Sequence, residues 1–430
     1  MSYASFLELL SRELVVALGC TEPISVAYAA ALAGEHVRGT AVVAVDVVVS
    51  ANVVKNAMAV TIPGTEHCGV DMAAALGVVA GDAAKNLEVL SGISESDVRA
   101  AEDLVRRGLV HLRVADSDKK LYIEVNIRTA ASCARAIVAD EHTKVDLVEV
   151  DGRVINRAGD ADPASAGSDE APPFLSIDSI WNFVQEVEPR DLDVVWRSID
   201  LNGAIAAEGL HNAYGLQVGR MIRENILQGV LGDDMLNHAM ALTAAATDAR
   251  MAGCSLPVVS NSGSGNQGIA ATVPVVDVGT RLGATADRIL RAVTLSHLIA
   301  IYIKAKFGRL SALCGAVVSG TGAACGITYL LGGGLAEVRM AIQNMLGNVT
   351  GMLCDGAKPG CALKVATCTS AAVQSALLAV RGFGIKSTDG IIETSPAHSI
   401  ENLCRIGKQG TTEIDKIILD IMIHKQDRVG

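Results

Sequence analysis

The sequence predicts an α+β fold, with an N-terminal α+β domain over residues 1–172 and a mostly helical domain over residues 173–430. β-branched and alternating apolar runs, which are typical of strands, are concentrated before residue 151. From residue 177 onward the apolar residues recur almost only at helical spacing, between glycine-rich loops. A chain of 430 residues is also long for a single core, and the Pro-, Ser- and Gly-containing segment 160–173 is the best candidate linker.

The apolar pattern assigns the elements in order. In the first domain it predicts helices over residues 5–18, 22–33, 52–60, 71–80 and 94–107. It predicts strands there over residues 42–49, 110–114, 121–128, 133–138 and 145–150. In the second domain it predicts helices over residues 193–210, 214–228, 234–251, 285–304, 335–345 and 362–381.

Composition limits the class of partner. Half of the residues are hydrophobic but only 3% are aromatic, so small aliphatic side chains must fill the interior. The net charge of −11 argues against nucleic acid or an anionic membrane as the partner and leaves a small molecule as the expected ligand. Ten cysteines without a signal peptide favour a reducing cytoplasm, where thiols stay free or bind metals. An apolar helical surface makes a homodimer the expected assembly.

Residues 311–336 carry no charge, which raises the alternative of a membrane carrier. Seven glycines interrupt this segment, and no tryptophan belts flank it. We therefore expect no membrane span. The pattern favours a buried glycine-rich segment at a site, where the backbone can approach a ligand closely.

Three cysteines of the second half suggest a metal centre. Cys314, Cys354 and Cys361 each lie beside glycine or a small polar residue in stretches of low charge. Three thiolates can hold three corners of a 4Fe–4S cluster and leave the fourth iron open as a Lewis acid. Simple burial is the alternative, because free cysteine is often buried and no CxxC pair is present. Cys368 is the main competing ligand and Cys325 the next. Three further cysteines are expected in the core, namely Cys133, Cys254 and Cys404.

A second group of candidates lies at the start of a predicted helix. Cys20, Thr21 and Glu22 precede or open that helix, where the dipole lowers the pKa of a thiol and makes it a better base. Cys20 and Glu22 are therefore candidate catalytic residues. An ordinary helix start, with Thr21 as the N-cap and Pro23 near the first helical position, is a compatible alternative.

A run of nine small polar residues over 260–268 lies between two apolar segments. Hydroxyls, amides and glycine N–H groups can hold a carboxylate or an ammonium, and the run has neither a P-loop lysine nor a convincing dinucleotide-binding pattern. A flexible loop is the alternative. The candidate substrate-binding residues of this run are Ser260, Asn261, Ser262, Gly263, Ser264 and Asn266.

Three further polar residues complete the candidates. Lys55 is expected to neutralise a substrate carboxylate, with Asn56 beside it. His67 is a candidate acid–base group, although a lone histidine near a turn is more often structural.

Four segments together resemble the L-cysteine desulfidase family, which is related to the α domain of iron–sulfur L-serine dehydratases. They are GCTEP at 19–23, KNA at 55–57, SNSGSGNQG at 260–268 and MLCDGAK at 352–358. The resemblance covers nearly the whole chain. It implies a pyridoxal-free α,β-elimination on L-cysteine that yields pyruvate, ammonia and hydrogen sulfide.

The resemblance also implies roles for four cysteines. Cys314, Cys354 and Cys361 match the family's ligands of a 4Fe–4S cluster. Cys20 matches a cysteine that transfers protons or caps the open iron. Serine dehydratases carry a Ser-Ser-His-Thr loop where this chain has Cys20-Thr21-Glu22, a departure that favours elimination of a thiol over a hydroxyl. A serine or threonine dehydratase and a non-catalytic, cluster-bearing amino-acid sensor remain the alternatives.

Overall fold

The computed structural model describes residues 3–117, 119–157, 172–307 and 313–425. It confirms the α+β fold, because a sheet with covering helices is followed by a helical part. The predicted linker lies almost wholly outside the described residues. The domain boundary between residues 172 and 173 therefore stays a prediction.

Twelve named elements precede the linker and twelve follow it. The first set is α1 (Tyr3–Glu13), β1 (Val16–Leu18), α2 (Thr21–Gly34), β2 (Val42–Val49), α3 (Ala51–Ala57), α4 (Val70–Ala80), α5 (Glu95–Arg106), β3 (Val110–Val114), β4 (Tyr122–Thr129), β5 (Cys133–Ala139), β6 (Val145–Val150) and β7 (Arg153–Arg157). The second set is α6 (Ile177–Glu186), α7 (Asp193–His211), α8 (Val218–Leu227), α9 (Met235–Met251), β8 (Pro257–Val259), α10 (Gly265–Arg281), α11 (Ala286–Phe307), α12 (Gly315–Leu330), α13 (Leu335–Val349), α14 (Cys361–Ala379), α15 (Pro396–Arg405) and α16 (Thr412–His424).

Strands β2 to β7 form one sheet in the order β3-β2-β4-β5-β6-β7. β2 and β3 run parallel, and the other neighbours run antiparallel. Alternation in β4 decides which face is covered: Ile123, Val125 and Ile127 are fully buried, whereas Glu124 and Asn126 lie on the other, partly exposed face. α2 and α4 pack over the apolar face and form a core with it.

α12 is buried along most of its length and packs against α10, α11, α13 and α14. Its glycines let helices approach closely. A Cβ on Gly322 would lie 2.2 Å from the carbonyl oxygen of Ser296, and one on Gly326 would lie 2.6 Å from that of Ala292. For these two glycines, the prediction that they make room for a ligand is wrong, because α11 occupies that space.

One helix in the described part of the chain, α14, is long and apolar enough to cross a membrane by length and composition alone. Of its most apolar window, 56% is buried. The helix packs against α9, α12 and α13. This is the burial expected of a core helix.

The elements at the two ends of the chain contact the part to which they do not belong in sequence. α1 packs against α7 and α11, and Phe6 and Leu10 join their core. β1 pairs antiparallel with β8, so the prediction of one helix over residues 5–18 is wrong after Glu13, because backbone pairing with β8 holds Val16–Leu18 extended. α16 contacts α3.

Candidate active site

A cavity between the two parts of the chain brings most of the candidate residues together. It encloses about 870 Å³, part of which is open to solvent. Its walls come from the start of α2, from α3, from the turn before α10 and from the segments around three cysteines. The predicted site residues that line it are Cys20, Thr21, Glu22, Lys55, Asn56, Ser262, Gly263, Ser264, Asn266, Cys314, Cys354 and Cys361.

Gly19 turns the chain from β1 into α2. Its φ is +65°, which strongly favours glycine, and a Cβ there would lie 2.1 Å from Cγ of Pro63. The turn makes Cys20 the N-cap of α2 and places Glu22 in the first turn, with both side chains buried. Thr21 is the first helical residue rather than the predicted N-cap.

Glu22 is the most heavily bonded group of the cavity. Its Oε2 accepts hydrogen bonds from Cys20 Sγ at 3.2 Å and Thr21 Oγ1 at 3.0 Å, and its Oε1 accepts one from Asn56 Nδ2 at 3.1 Å. His142 Nε2 lies 3.9 Å from the same Oε1. Burial alone would raise the pKa of Glu22, but His142 and the hydrogen bonds outweigh it and lower this pKa to about 2. Glu22 is therefore an ionised carboxylate at neutral pH.

The pKa of Cys20 differs from the expectation based on the sequence. Burial, followed by the charge of Glu22, raises the pKa of Cys20 well above its usual value, although Arg250 opposes the rise. The predicted lowering of this pKa by the helix start is therefore wrong. Loss of water and a neighbouring carboxylate outweigh the helix dipole, so Cys20 is a neutral thiol that donates to Glu22.

The Ser/Gly run forms a tight turn and then the start of α10. Ser262 and Gly263 both have positive φ, and Ser264 caps α10 by accepting a hydrogen bond from Gln267 N at 3.4 Å. The predicted flexible-loop alternative does not fit these contacts. The turn presents its polar groups to the cavity.

Ser260 and Asn261 support this turn from beneath and do not line the cavity. Ser260 Oγ donates to the carbonyl oxygen of Val15 at 2.8 Å. Asn261 Nδ2 lies 3.0 Å from Nδ1 of the fully buried His297 and donates to the carbonyl oxygen of the same residue at 3.2 Å. Both residues hold the turn in place.

Lys55 lines the cavity, but its charge has a protein partner. Its Nζ lies 2.6 Å from Oδ1 of Asp415 on α16 and 3.5 Å from the carbonyl oxygen of Cys354. Its side chain is 3% exposed. Lys55 therefore joins α3 to the C-terminal helix and to the cysteine segment.

His67 lies outside the cavity lining. Its Nε2 contacts Oε1 of Glu102 at 2.6 Å, and both side chains are about two-fifths exposed (40% and 43%). Of the histidines in the described part of the chain, His142 is the one that lines the cavity. No motif or periodicity indicated His142, which follows β5 in a loop.

Arg250 is another cavity residue that the sequence patterns did not indicate. It lies near the end of α9 and is 3% exposed. A basic residue in a helix whose neighbouring positions are mostly alanine was the available signal. Gln267 and Lys304 also line the cavity.

The three cysteines reach the same wall by different routes. A bridge between Leu313 and Leu353, with Cys314 N donating to the carbonyl oxygen of Met352 at 2.9 Å, sets the Cys314 and Cys354 segments side by side. Cys361 is the first residue of α14, one residue before the predicted start of this helix.

The chemistry of this donor set fits a 4Fe–4S cluster. Burial, and then the charge of Cys354, raise the pKa of Cys314 to about 12, and burial followed by Cys354 raises that of Cys361. Three thiolates lining one cavity would repel each other and would need a cationic partner. Within residues 3–117, 119–157, 172–307 and 313–425, no three His, Cys, Asp or Glu side chains are placed to hold a single metal ion. A cluster puts each cysteine on a separate iron and so needs a wider arrangement.

Apart from Cys20 and these three, no cysteine of the described residues lines the cavity. Cys325 and Cys368, the two predicted competitors, are fully buried, and Cys368 Sγ lies 3.7 Å from Sδ of Met352. Cys254 and Cys404 are buried as predicted. Cys133 is exposed at the start of β5, so its predicted place in the core is wrong.

Known proteins are similar to this chain over nearly its whole length. The UPF0597 protein of Oleidesulfovibrio alaskensis is 45% identical over 99% of both chains. Those of Shewanella pealeana and Clostridium perfringens are 44% and 40% identical, over 98% of both chains in each case. Residues 84–420 match the family model described as the serine dehydratase alpha chain, and this range includes Cys314, Cys354 and Cys361 but not Cys20. The chain belongs to the serine dehydratase alpha-chain family.

Proposed function

We propose that this protein is a lyase that catalyses pyridoxal-free α,β-elimination on L-cysteine, releasing pyruvate, ammonia and hydrogen sulfide. The observation that carries the proposal is one cavity that holds three thiols together with the hydrogen-bonded pair Cys20 and Glu22. Membership of the serine dehydratase alpha-chain family supports removal of a β-substituent from an amino acid.

Cys314, Cys354 and Cys361 are the proposed ligands of a 4Fe–4S cluster. When bound, such a cluster with one iron free of protein ligands supplies a Lewis acid that polarises the bond to the β-substituent. The chain's own residues supply the proton transfers.

The protonation states of the pair support the proposed division of roles. Glu22, the ionised member, takes the α-proton, and Cys20, the protonated member, gives its proton to the departing sulfur. The C–S bond breaks and hydrogen sulfide leaves. The proton on Glu22 then returns to Cys20 along their 3.2 Å hydrogen bond, and the enamine product hydrolyses in water to pyruvate and ammonia. These roles exchange those expected from the sequence, in which Cys20 was the base.

Dehydration of L-serine or L-threonine is the second candidate, favoured by the description of the family model. It uses the same cavity and the same pair, with water in place of hydrogen sulfide as the leaving molecule. The departure at Cys20-Thr21-Glu22 from the serine dehydratase loop favours the thiol substrate.

The test compares substrates on protein reconstituted with iron and sulfide without oxygen. We expect L-cysteine to give sulfide, pyruvate and ammonia in equal amounts, at a higher kcat/KM than L-serine or L-threonine. A higher kcat/KM for L-serine or L-threonine than for L-cysteine would establish the dehydratase. Binding of iron and of the amino acid without release of ammonia would leave only the non-catalytic sensor.

Glu22→Gln should lower kcat about 100-fold or more. Glu102→Gln, which alters a carboxylate outside the cavity, is the matched control and should retain activity.

A further inference from the structure

We infer that Arg250 and the first turn of α10 form a binding subsite for a carboxylate. The guanidinium is almost completely buried and lines the cavity. Its Nη1 donates to Asn266 Oδ1 at 2.9 Å, but its Nε is buried without a hydrogen-bond partner. Within the described ranges no Asp or Glu pairs with Arg250. A buried cation of this kind needs an anion, because its water has been removed and not replaced.

The position of the guanidinium indicates where that anion binds. A Cβ on Gly265 would lie 2.3 Å from Nε and 2.6 Å from Cζ of Arg250. The cation therefore lies against the first residue of a 17-residue helix, at the end that carries partial positive charge. Two positive groups repel each other there, and an anion in the cavity that contacts both groups is bound by both.

Two other groups of the cavity indicate that the carboxylate belongs to an amino acid. Lys55, expected from the sequence to bind it, is already paired with Asp415. Gln267 Oε1 is buried, lines the same cavity and has no hydrogen-bond partner. An acceptor of this kind suits an ammonium group. A zwitterion would satisfy both unpartnered groups, with its carboxylate on Arg250 and its ammonium on Gln267.

This assignment of the anion as a substrate's α-carboxylate rests on the proposed function. It also contributes to that function, because a guanidinium on the carboxylate stabilises the negative charge that develops at Cα when the α-proton leaves. Substrate selection follows as well. Amines without the carboxylate leave Arg250 unpaired and bind poorly.

Binding of L-alanine tests the subsite without turnover, since L-alanine has both charged groups and no leaving group. We expect calorimetric titration of the reconstituted protein to show binding of L-alanine but not of ethylamine. Arg250→Met should weaken L-alanine binding by about 10- to 100-fold, and Arg250→Lys by less. The KM for L-cysteine should rise in parallel. Arg220→Met, which removes a guanidinium outside the cavity lining, is the matched control and should change neither quantity.

Gly265→Ala provides a test that keeps the charge. The new Cβ displaces the guanidinium, so this variant should weaken L-alanine binding as Arg250→Met does while keeping the circular dichroism spectrum of wild type. Unchanged L-alanine affinity in both variants would overturn the subsite, whatever the activity. Arg250-dependent binding of L-alanine, without elimination from any β-substituted amino acid, would instead support the subsite and overturn the proposed function.

Discussion

His297 is a buried histidine that holds the cavity turn without touching the cavity. Its Nε2 lies 3.0 Å from both Ser198 Oγ and Thr272 Oγ1, and its Nδ1 lies 3.0 Å from Asn261 Nδ2. Complete burial lowers the pKa of His297 to about 3. The ring is therefore neutral in the folded protein, and its hydrogen bonds fix Asn261 at the base of the turn.

The pKa of His297 predicts a specific pH dependence of stability. The unfolded chain binds a proton at this ring below about pH 6.5, whereas the folded chain does so only near pH 3. The stability contributed by the neutral ring is thus complete above pH 6.5 and is lost as the pH falls toward 3, by up to about 1.4 kcal/mol per pH unit. Urea unfolding between pH 5 and 8 should show the difference between wild type and His297→Asn shrinking below pH 6.5. The control is His211→Asn, which alters an exposed histidine. A difference in unfolding free energy between wild type and His297→Asn that does not change with pH would contradict the assignment.

At the scale of elements, close helix packing depends on positions with no side chain. The Cβ absent from Gly322 would lie 2.2 Å from the carbonyl oxygen of Ser296, so α11 and α12 pack closely there. These helices lie at the centre of the helical part and carry Lys304 and the cysteine segment at their ends. Their spacing therefore affects both stability and the geometry of the cavity.

Gly322→Ala should destabilise the protein. We expect a loss of about 1–3 kcal/mol in the free energy of unfolding, because α11 and α12 must move apart to admit the methyl group. Gly203 on α7 provides the matched control, because a Cβ there meets nothing within 4 Å. Gly203→Ala should stabilise by about 0.5–1 kcal/mol through helix propensity. Urea unfolding followed by circular dichroism measures both, and equal stability of Gly322→Ala and wild type would show that the helices are not close-packed.

Sequence patterns predicted elements well where burial follows a local period. β2, β3 and β6 begin and end at the predicted residues. β7 was missed because its residues are all exposed and carry no apolar alternation. The usable signal in the sequence was the Asp151-Gly152 pair, which is typical of hairpin turns. Both residues have positive φ in the structure.

At the scale of the whole molecule, the cavity forms because segments that are distant in the sequence pair with each other. β1 pairs with β8, and α16 reaches α3 through the ion pair of Lys55 and Asp415. The cysteine segments then close the wall opposite Cys20 and Glu22. Neither part of the chain supplies all of the proposed groups.

The proposed cluster is a property of this whole assembly and predicts a pattern of iron loss. Cys314→Ala, Cys354→Ala and Cys361→Ala should each lower the iron and sulfide content and the visible absorption of protein reconstituted without oxygen, since each removes one ligand. Cys368→Ala should retain iron, because Cys368 is buried outside the cavity lining. Full iron retention in the first three variants would exclude this ligand set, independently of any activity measurement.

The sequence by itself determined the order and type of most elements, the candidate cysteines and the polar run before α10. These follow from local periodicity and from the chemistry of single residue types. Tertiary structure alone decided that Arg250 and His142 join the cavity, that Lys55 is paired with Asp415, and that Cys20 is a thiol and Glu22 a carboxylate. The physical reason is that charge state and pairing depend on which distant side chains share a space from which water has been removed.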